Sequence, residues 1–180
     1  MARIKSQKRR TNPVFYVFCE GKTEKLYLEL LNRIFSTKIR PILLGQGISD
    51  DLISRNLEHR DYDLHKDETF AIYDLDVESV NASLSKISTI LLVSNPCIEL
   101  WFLLHYKDQT RNISSLVCKN KEIQNSFCKN YKAGKPFPRD MQAVLEDNLL
   151  LACERAKKLN SPSNPSSTVY KLIEELVKRG

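Results

Sequence analysis

The sequence predicts an α/β chain: a four-stranded, mostly parallel sheet flanked by helices, followed by a helical C-terminal half. Two observations predict it. Four short apolar runs, at 14–19, 39–44, 69–74 and 89–93, alternate with segments of helical period, the pattern of βαβ units whose strands are buried on both faces. Beyond residue 106 no such run recurs, and apolar residues return at helical spacing.

Residues 1–13 carry Arg3, Lys5, Lys8, Arg9 and Arg10 without periodic apolar residues and read as a disordered basic arm. Strand one spans 14–19. A helix over 23–35 follows, with Leu26, Tyr27, Leu30, Leu31, Ile34 and Phe35 on one face. Strand two is 39–44, ended by Gly45 and Gly47. A helix over 49–59 begins at Ser49 or Asp50 and is buried through Leu52, Ile53 and Leu57. Strand three is 69–74, Ser79–Lys86 is a short, weak helical stretch, and strand four is Thr89–Val93. Asn95 and Pro96 read as the N-cap and first residue of a helix through Tyr106, apolar almost all round and therefore buried. Residues 112–135 are helical in part, 134–138 is a break, and a helix over 140–159 precedes the loop 160–165. The last helix carries Val169, Leu172, Ile173, Leu176 and Val177 on one face.

At 180 residues and 42% hydrophobic, the chain fits one compact domain: an α/β core over 14–106 with a basic helical extension over 107–180 packed on it. No stretch approaches the roughly 18 consecutive apolar residues of a membrane span, and the basic N-terminus lacks the apolar segment of a secretory signal. Cys19, Cys97, Cys118, Cys128 and Cys153 are scattered without metal-binding spacing, so they read as reduced packing thiols of a cytoplasmic protein.

The net charge of +6 is unevenly spread. Residues 1–13 hold five cations and no acid. Residues 14–106 hold nine Lys/Arg against fourteen Asp/Glu, and residues 107–180 fourteen against eight. Basic flanks around an acidic core suit an anionic polymer delivered to a metal; solvated Lys-rich helices are the plainer reading.

The acids of the core lie where strands end. Glu20 closes strand one, ahead of Gly21-Lys22-Thr23-Glu24-Lys25, and Asp74-Leu75-Asp76-Val77-Glu78 closes strand three. Ligands of parallel sheets bind beyond the carboxyl ends of the strands. If strands one and three are neighbours, roughly 4.8 Å apart, their carboxylates can share one ion. Carboxylates held together raise one another's pKa unless a cation neutralises them, and Mg²⁺ (or Mn²⁺) takes carboxylates plus substrate phosphates. Asp74 and Asp76 are the primary candidate ligands and Glu78 a third; a solvated acidic loop is the alternative. Glu20 is a ligand or a general base, or it simply favours the positive end of the helix dipole. Gly21 allows close approach of a phosphate, and Lys22 and Lys25 offset its charge. Glu24 is a candidate neighbour of the site. Glu99, the only acid in the apolar helix, needs a cation, a metal shell or a donor, so it belongs to an ion pair or to the site. His59, His65, His105 and Trp101 read as structural. Lys119, Lys121, Lys129, Lys132 and Lys135 interleave with Phe127, Tyr131 and Phe137. The lysines suit nucleic-acid contact; the rings read rather as core.

Glu20 with Asp74-x-Asp76-x-Glu78 resembles the Toprim catalytic domain of topoisomerases, bacterial primases, recombination-associated proteins and nucleases of the overcoming-lysogenisation-defect type. More specifically, Phe18-Cys19-Glu20-Gly21-Lys22-Thr23-Glu24-Lys25, Ser94-Asn95-Pro96-Cys97-Ile98-Glu99-Leu100-Trp101 and Asn164-Pro165-Ser166-Ser167-Thr168-Val169-Tyr170 resemble the RloB-like family. The resemblance implies a stand-alone Toprim-like domain, typically encoded near bacterial or archaeal restriction and phage-defence genes, and a magnesium-dependent nuclease. It matches Glu20 to the Toprim glutamate, Asp74 and Asp76 to the metal ligands, Glu78 to the third acid, and Glu99 to a segment of undefined role. The short link between strands three and four departs from a full Toprim helix. Two alternatives stand beside a nuclease. One is a nucleic-acid- or partner-binding module of a defence system. The other is a haloacid-dehalogenase-type phosphatase with Asp74 as nucleophile, for which the required later acidic pair is missing.

Overall fold

The structure, a computed structural model, describes residues 12–179; the cations at 3–10 lie outside the described residues. The four apolar runs form β1 (Phe15–Cys19), β2 (Ile39–Leu43), β3 (Glu68–Asp74) and β4 (Ile90–Asn95), all parallel in the order β2-β1-β3-β4. The expected four-stranded sheet is corrected to five strands. β5 (Ser166–Ser167) pairs antiparallel with β4, Ser94 opposite Ser167 and Asn95 opposite Ser166. Two serines have no apolar period to announce a strand. Their register is held by Thr168, whose N–H donates to the Val93 carbonyl at 2.8 Å and whose Oγ1 accepts from the Val93 N–H at 2.8 Å.

Between the strands lie α1 (Lys22–Phe35), α2 (Asp50–Glu58) and the short α3 (Glu78–Leu84). Ser49 caps α2 by accepting from the Leu52 N–H at 3.2 Å. Asn32 of α1 holds the start of β2 from both sides, donating to the Ile39 carbonyl and accepting from its N–H, each at 2.7 Å. α4 (Ile98–Tyr106) is buried from Ile98 through His105. It begins at Ile98, with Cys97 at the N-cap, and not at Pro96 as read from sequence. Asn95 is unavailable as a cap because its backbone belongs to β4 and its side chain donates to the Pro162 carbonyl at 2.7 Å. After α4 comes a π-helical segment, Val117–Phe127. The single helix expected over 140–159 is two, α5 (Arg139–Asp147) and α6 (Leu149–Lys157), divided at Asn148, whose side chain donates to the His105 carbonyl at 3.0 Å. α7 (Tyr170–Arg179) follows β5.

Side-chain alternation along the strands divides the core in two. Phe15, Val17, Cys19, Phe70, Ile72 and Leu92 face α1, α4 and the C-terminal half, whereas Tyr16, Phe18, Ala71 and Tyr73 face Ile53, Val80 and Leu84 of α2 and α3. Tyr131 and Phe137 are buried and stacked at 6.2 Å, and Trp101 is fully buried, so these rings are core. All five cysteines are free and buried. Among the described residues no helix is long and apolar enough to cross a membrane.

Candidate functional site

β1 and β3 are neighbours, with Cys19 opposite Ile72. β3 runs two residues further, to Asp74, which lies beside Ser94 of β4. Alternation places Asp74 on the face of Phe70 and Ile72, beneath α1, α4 and the π-helical segment. As a residue Asp74 is half-buried, but its Oδ1 is cut off from solvent and has no hydrogen-bond partner. Burial, then the charges of Glu24 and Glu99, hold its carboxyl well above the ordinary range; Lys119 pulls it back and Asp76 adds to the rise.

Glu24 stands in the first turn of α1, buried, with Oε2 unpartnered. Burial raises its pKa, the N–H of Glu24 lowers it, and Glu99 and Glu20 raise it further. A methyl group on Gly21 would come within 2.9 Å of that Oε2. The space that the absent side chain leaves at Gly21 is therefore filled by the Glu24 carboxylate. Glu99, in the first turn of α4, is only 1% exposed. Its Oε1 accepts from the Tyr131 hydroxyl at 2.7 Å, and its Oε2 lies 3.8 Å from the Lys119 ammonium. The phenol of Tyr131 is held strongly in its protonated form by burial and by Glu99. Burial opposes the charge of Lys119, but Glu99, Cys97, Asp74 and Asp76 outweigh it and raise its pKa.

The remaining acids lie at the rim. Glu20 is half-buried and its charge is felt at Glu24 and Tyr73. Asp76 is exposed, its Oδ2 3.5 Å from the Ser115 hydroxyl, at the outer limit of a hydrogen bond. Glu78 is exposed and opens α3, where its charge favours the helix dipole. Of the cations, Lys22 is exposed at the start of α1, beside the loop of Gly134, whose N–H donates to Thr23 Oγ1 at 2.8 Å. Lys25 pairs with Glu29 at 3.8 Å. Lys121, Lys129 and Lys132 are exposed, whereas Lys119 turns into the acidic pocket.

Among the described residues no three His, Cys, Asp or Glu side chains are already gathered around one point as metal ligands. The donor set nevertheless fits a hard divalent cation. Asp74 Oδ1, Glu24 Oε2 and Glu99 Oε2 are buried carboxylate oxygens without hydrogen-bond partners, and oxygen is what Mg²⁺ or Mn²⁺ takes. Sequence reasoning missed three members of this neighbourhood: Tyr131 as the donor to Glu99, Ser115 beside Asp76, and the Ser94–Ser167 hydroxyl pair at 3.0 Å next to Asp74. Polar residues within otherwise buried segments were the available signal.

No curated protein and no solved structure matches this chain. The family model described as RloB-like protein matches residues 15–176, from the first residue of β1 into α7, and the chain belongs to that family.

Proposed function

We propose that this chain is a Toprim-type, Mg²⁺-dependent nuclease that hydrolyses phosphodiester bonds of DNA or RNA in bacterial or archaeal phage defence. One observation carries the reading. The central parallel strand ends in a carboxylate, Asp74, with a solvent-excluded oxygen that no protein group satisfies, in a pocket shared with Glu24 and Glu99. Asp74, with the buried Glu24 and Glu99 beside it and Asp76 and Glu78 at the rim, would hold Mg²⁺ or Mn²⁺. Bound there, the ion supplies charge stabilisation for the transferring phosphoryl group and an activated nucleophile. Glu20, half-buried and in reach of solvent, serves as the base that takes the proton of the attacking water. Lys22 and Lys25 at the start of α1, with the exposed Lys121, Lys129 and Lys132, hold the backbone phosphates.

The test is purified full chain with Mg²⁺ or Mn²⁺ on single- and double-stranded DNA and RNA. Cleavage is expected, and Asp74→Asn and Glu20→Gln should each lower it by about 10²-fold or more. If no substrate is cut, or if the variants cut as fast as the parent, the reading fails.

One observation favours a second reading. The acidic pocket already contains a cation of its own, Lys119, which suits a module that binds nucleic acid or a partner of the defence system without cutting. Tight nucleic-acid binding unchanged by Asp74→Asn, with no cleavage, is its signature.

A further inference from the structure

Lys119 differs from Lys121, Lys129 and Lys132 of the basic C-terminal half. The exposed Lys121, Lys129 and Lys132 point to solvent, whereas the Lys119 ammonium sits 3.8 Å from the Oε2 of Glu99, a residue only 1% exposed. Glu99 is itself fixed by the buried Tyr131 hydroxyl at 2.7 Å, so the carboxylate that Lys119 faces is held in place. Four residues earlier, just ahead of the π-helical segment, the Ser115 hydroxyl lies 3.5 Å from Asp76. Ser115 and Lys119 thus each meet a carboxylate of the acidic site, Asp76 and Glu99. The backbone around Lys119 is π-helical over Val117–Phe127, a geometry that is uncommon and recurs at functional sites.

Three carboxylate oxygens of this pocket, on Glu24, Asp74 and Glu99, are solvent-excluded and lack hydrogen-bond partners. Buried carboxylates without compensation are expensive. Among the described residues, Lys119 is the cation that Glu99 pairs with, and its charge also acts on Asp74. A divalent cation entering the same pocket would face that ammonium at short range, and like charges in a poorly hydrated site repel strongly.

We propose that Lys119 is the resident counter-ion of the carboxylate pocket and that a divalent cation takes its place, so that this side chain sets the metal affinity of the site. The inference rests on the reading of the pocket as a metal site, and it adds the competitor. Lys119 is a positioning residue in this scheme: it keeps Glu99 and Asp74 compensated while no metal is bound. Its departure with the metal's arrival loosens the π-helical segment from the pocket.

The experiment uses the full chain stripped with EDTA and titrated with Mn²⁺ alone, followed by calorimetry and by the electron paramagnetic resonance of free Mn²⁺. Lys119→Met should tighten Mn²⁺ binding by about tenfold or more, because a repelling charge has gone, while Lys119→Arg, which keeps the charge, should stay within about threefold of the parent. Binding by Lys119→Met that is equal to or weaker than the parent's overturns the proposal. A second arm needs no variant. Hydrogen exchange of the parent chain should quicken over residues 117–127 when Mn²⁺ is added; slower exchange there on binding also overturns it. If Lys119→Met does not fold, this arm decides alone. Absence of Mn²⁺ binding in the parent and both variants instead removes the metal reading itself.

Discussion

At the scale of single residues, the interior holds its polar groups under unequal terms. His105 is wholly buried; its Nδ1 meets the Trp101 carbonyl at 2.9 Å, and its Nε2 has no partner. Burial, opposed by the Trp101 and Phe102 backbone and aided by Arg155, lowers its pKa from 6.5 to about 4. The unfolded chain therefore takes up a proton at this position before the native one does. Stability from this group is complete above 6.5, declines as pH falls, and levels below about 4. The expected loss between about pH 7.5 and pH 5 is on the order of 2 kcal/mol. Urea titrations of the parent and of His105→Gln at both pH values check it, since the variant should lose that part of the pH slope. An unchanged slope would count against the assignment. Residue-scale features were partly legible in the sequence. Glu99 stands out in the sequence because a carboxylate in an apolar helix demands a partner, and Asp74 because it opens an acidic cluster at the end of an apolar strand. Tyr131 does not, because a tyrosine that packs and a tyrosine that donates a hydrogen bond are spelled alike. Lys119 was grouped with Lys121, Lys129 and Lys132 because nothing in a run of lysines marks the one turned inward.

At the scale of elements, β1, β3 and β4 were readable within a few residues, since buried parallel strands are continuous apolar runs. β5 was not. It consists of two serines, and its position depends on Thr168, more than seventy residues from the Val93 backbone that it matches on both sides. Thr168→Val keeps the shape but removes the oxygen that accepts the buried Val93 N–H. The expected cost is about 1–3 kcal/mol, measurable by urea denaturation, and a neutral effect would show that another acceptor or water replaces it. Asn148 escaped notice because the apolar period continues through it, although its side chain is committed to the His105 carbonyl. Asn95 misled because the same residue type serves as a helix cap and as a strand end.

At the scale of the whole molecule, the fold sets the acidic pocket at the carboxyl ends of the strands, and residue 12 precedes the amino end of β1. Residues 1–11 carry five cations. Deleting residues 1–11 from Asp74→Asn protein should weaken nucleic-acid binding and flatten its dependence on log salt by up to about four units. Fluorescence anisotropy over a salt series reads both, and an unchanged slope would mean that the arm contacts no phosphate. The long link from β4 to β5 has one more consequence, for a chain emerging from the ribosome. The strands that bear Glu20, Asp74 and Glu99's helix are all made before residue 107, whereas Lys119, Tyr131 and the residues that pair the outer edge of β4 come later. For that interval the nascent sheet carries an uncompensated cluster of carboxylates and an unpaired edge. Translation order thus delivers the acids first and their counter-charge second.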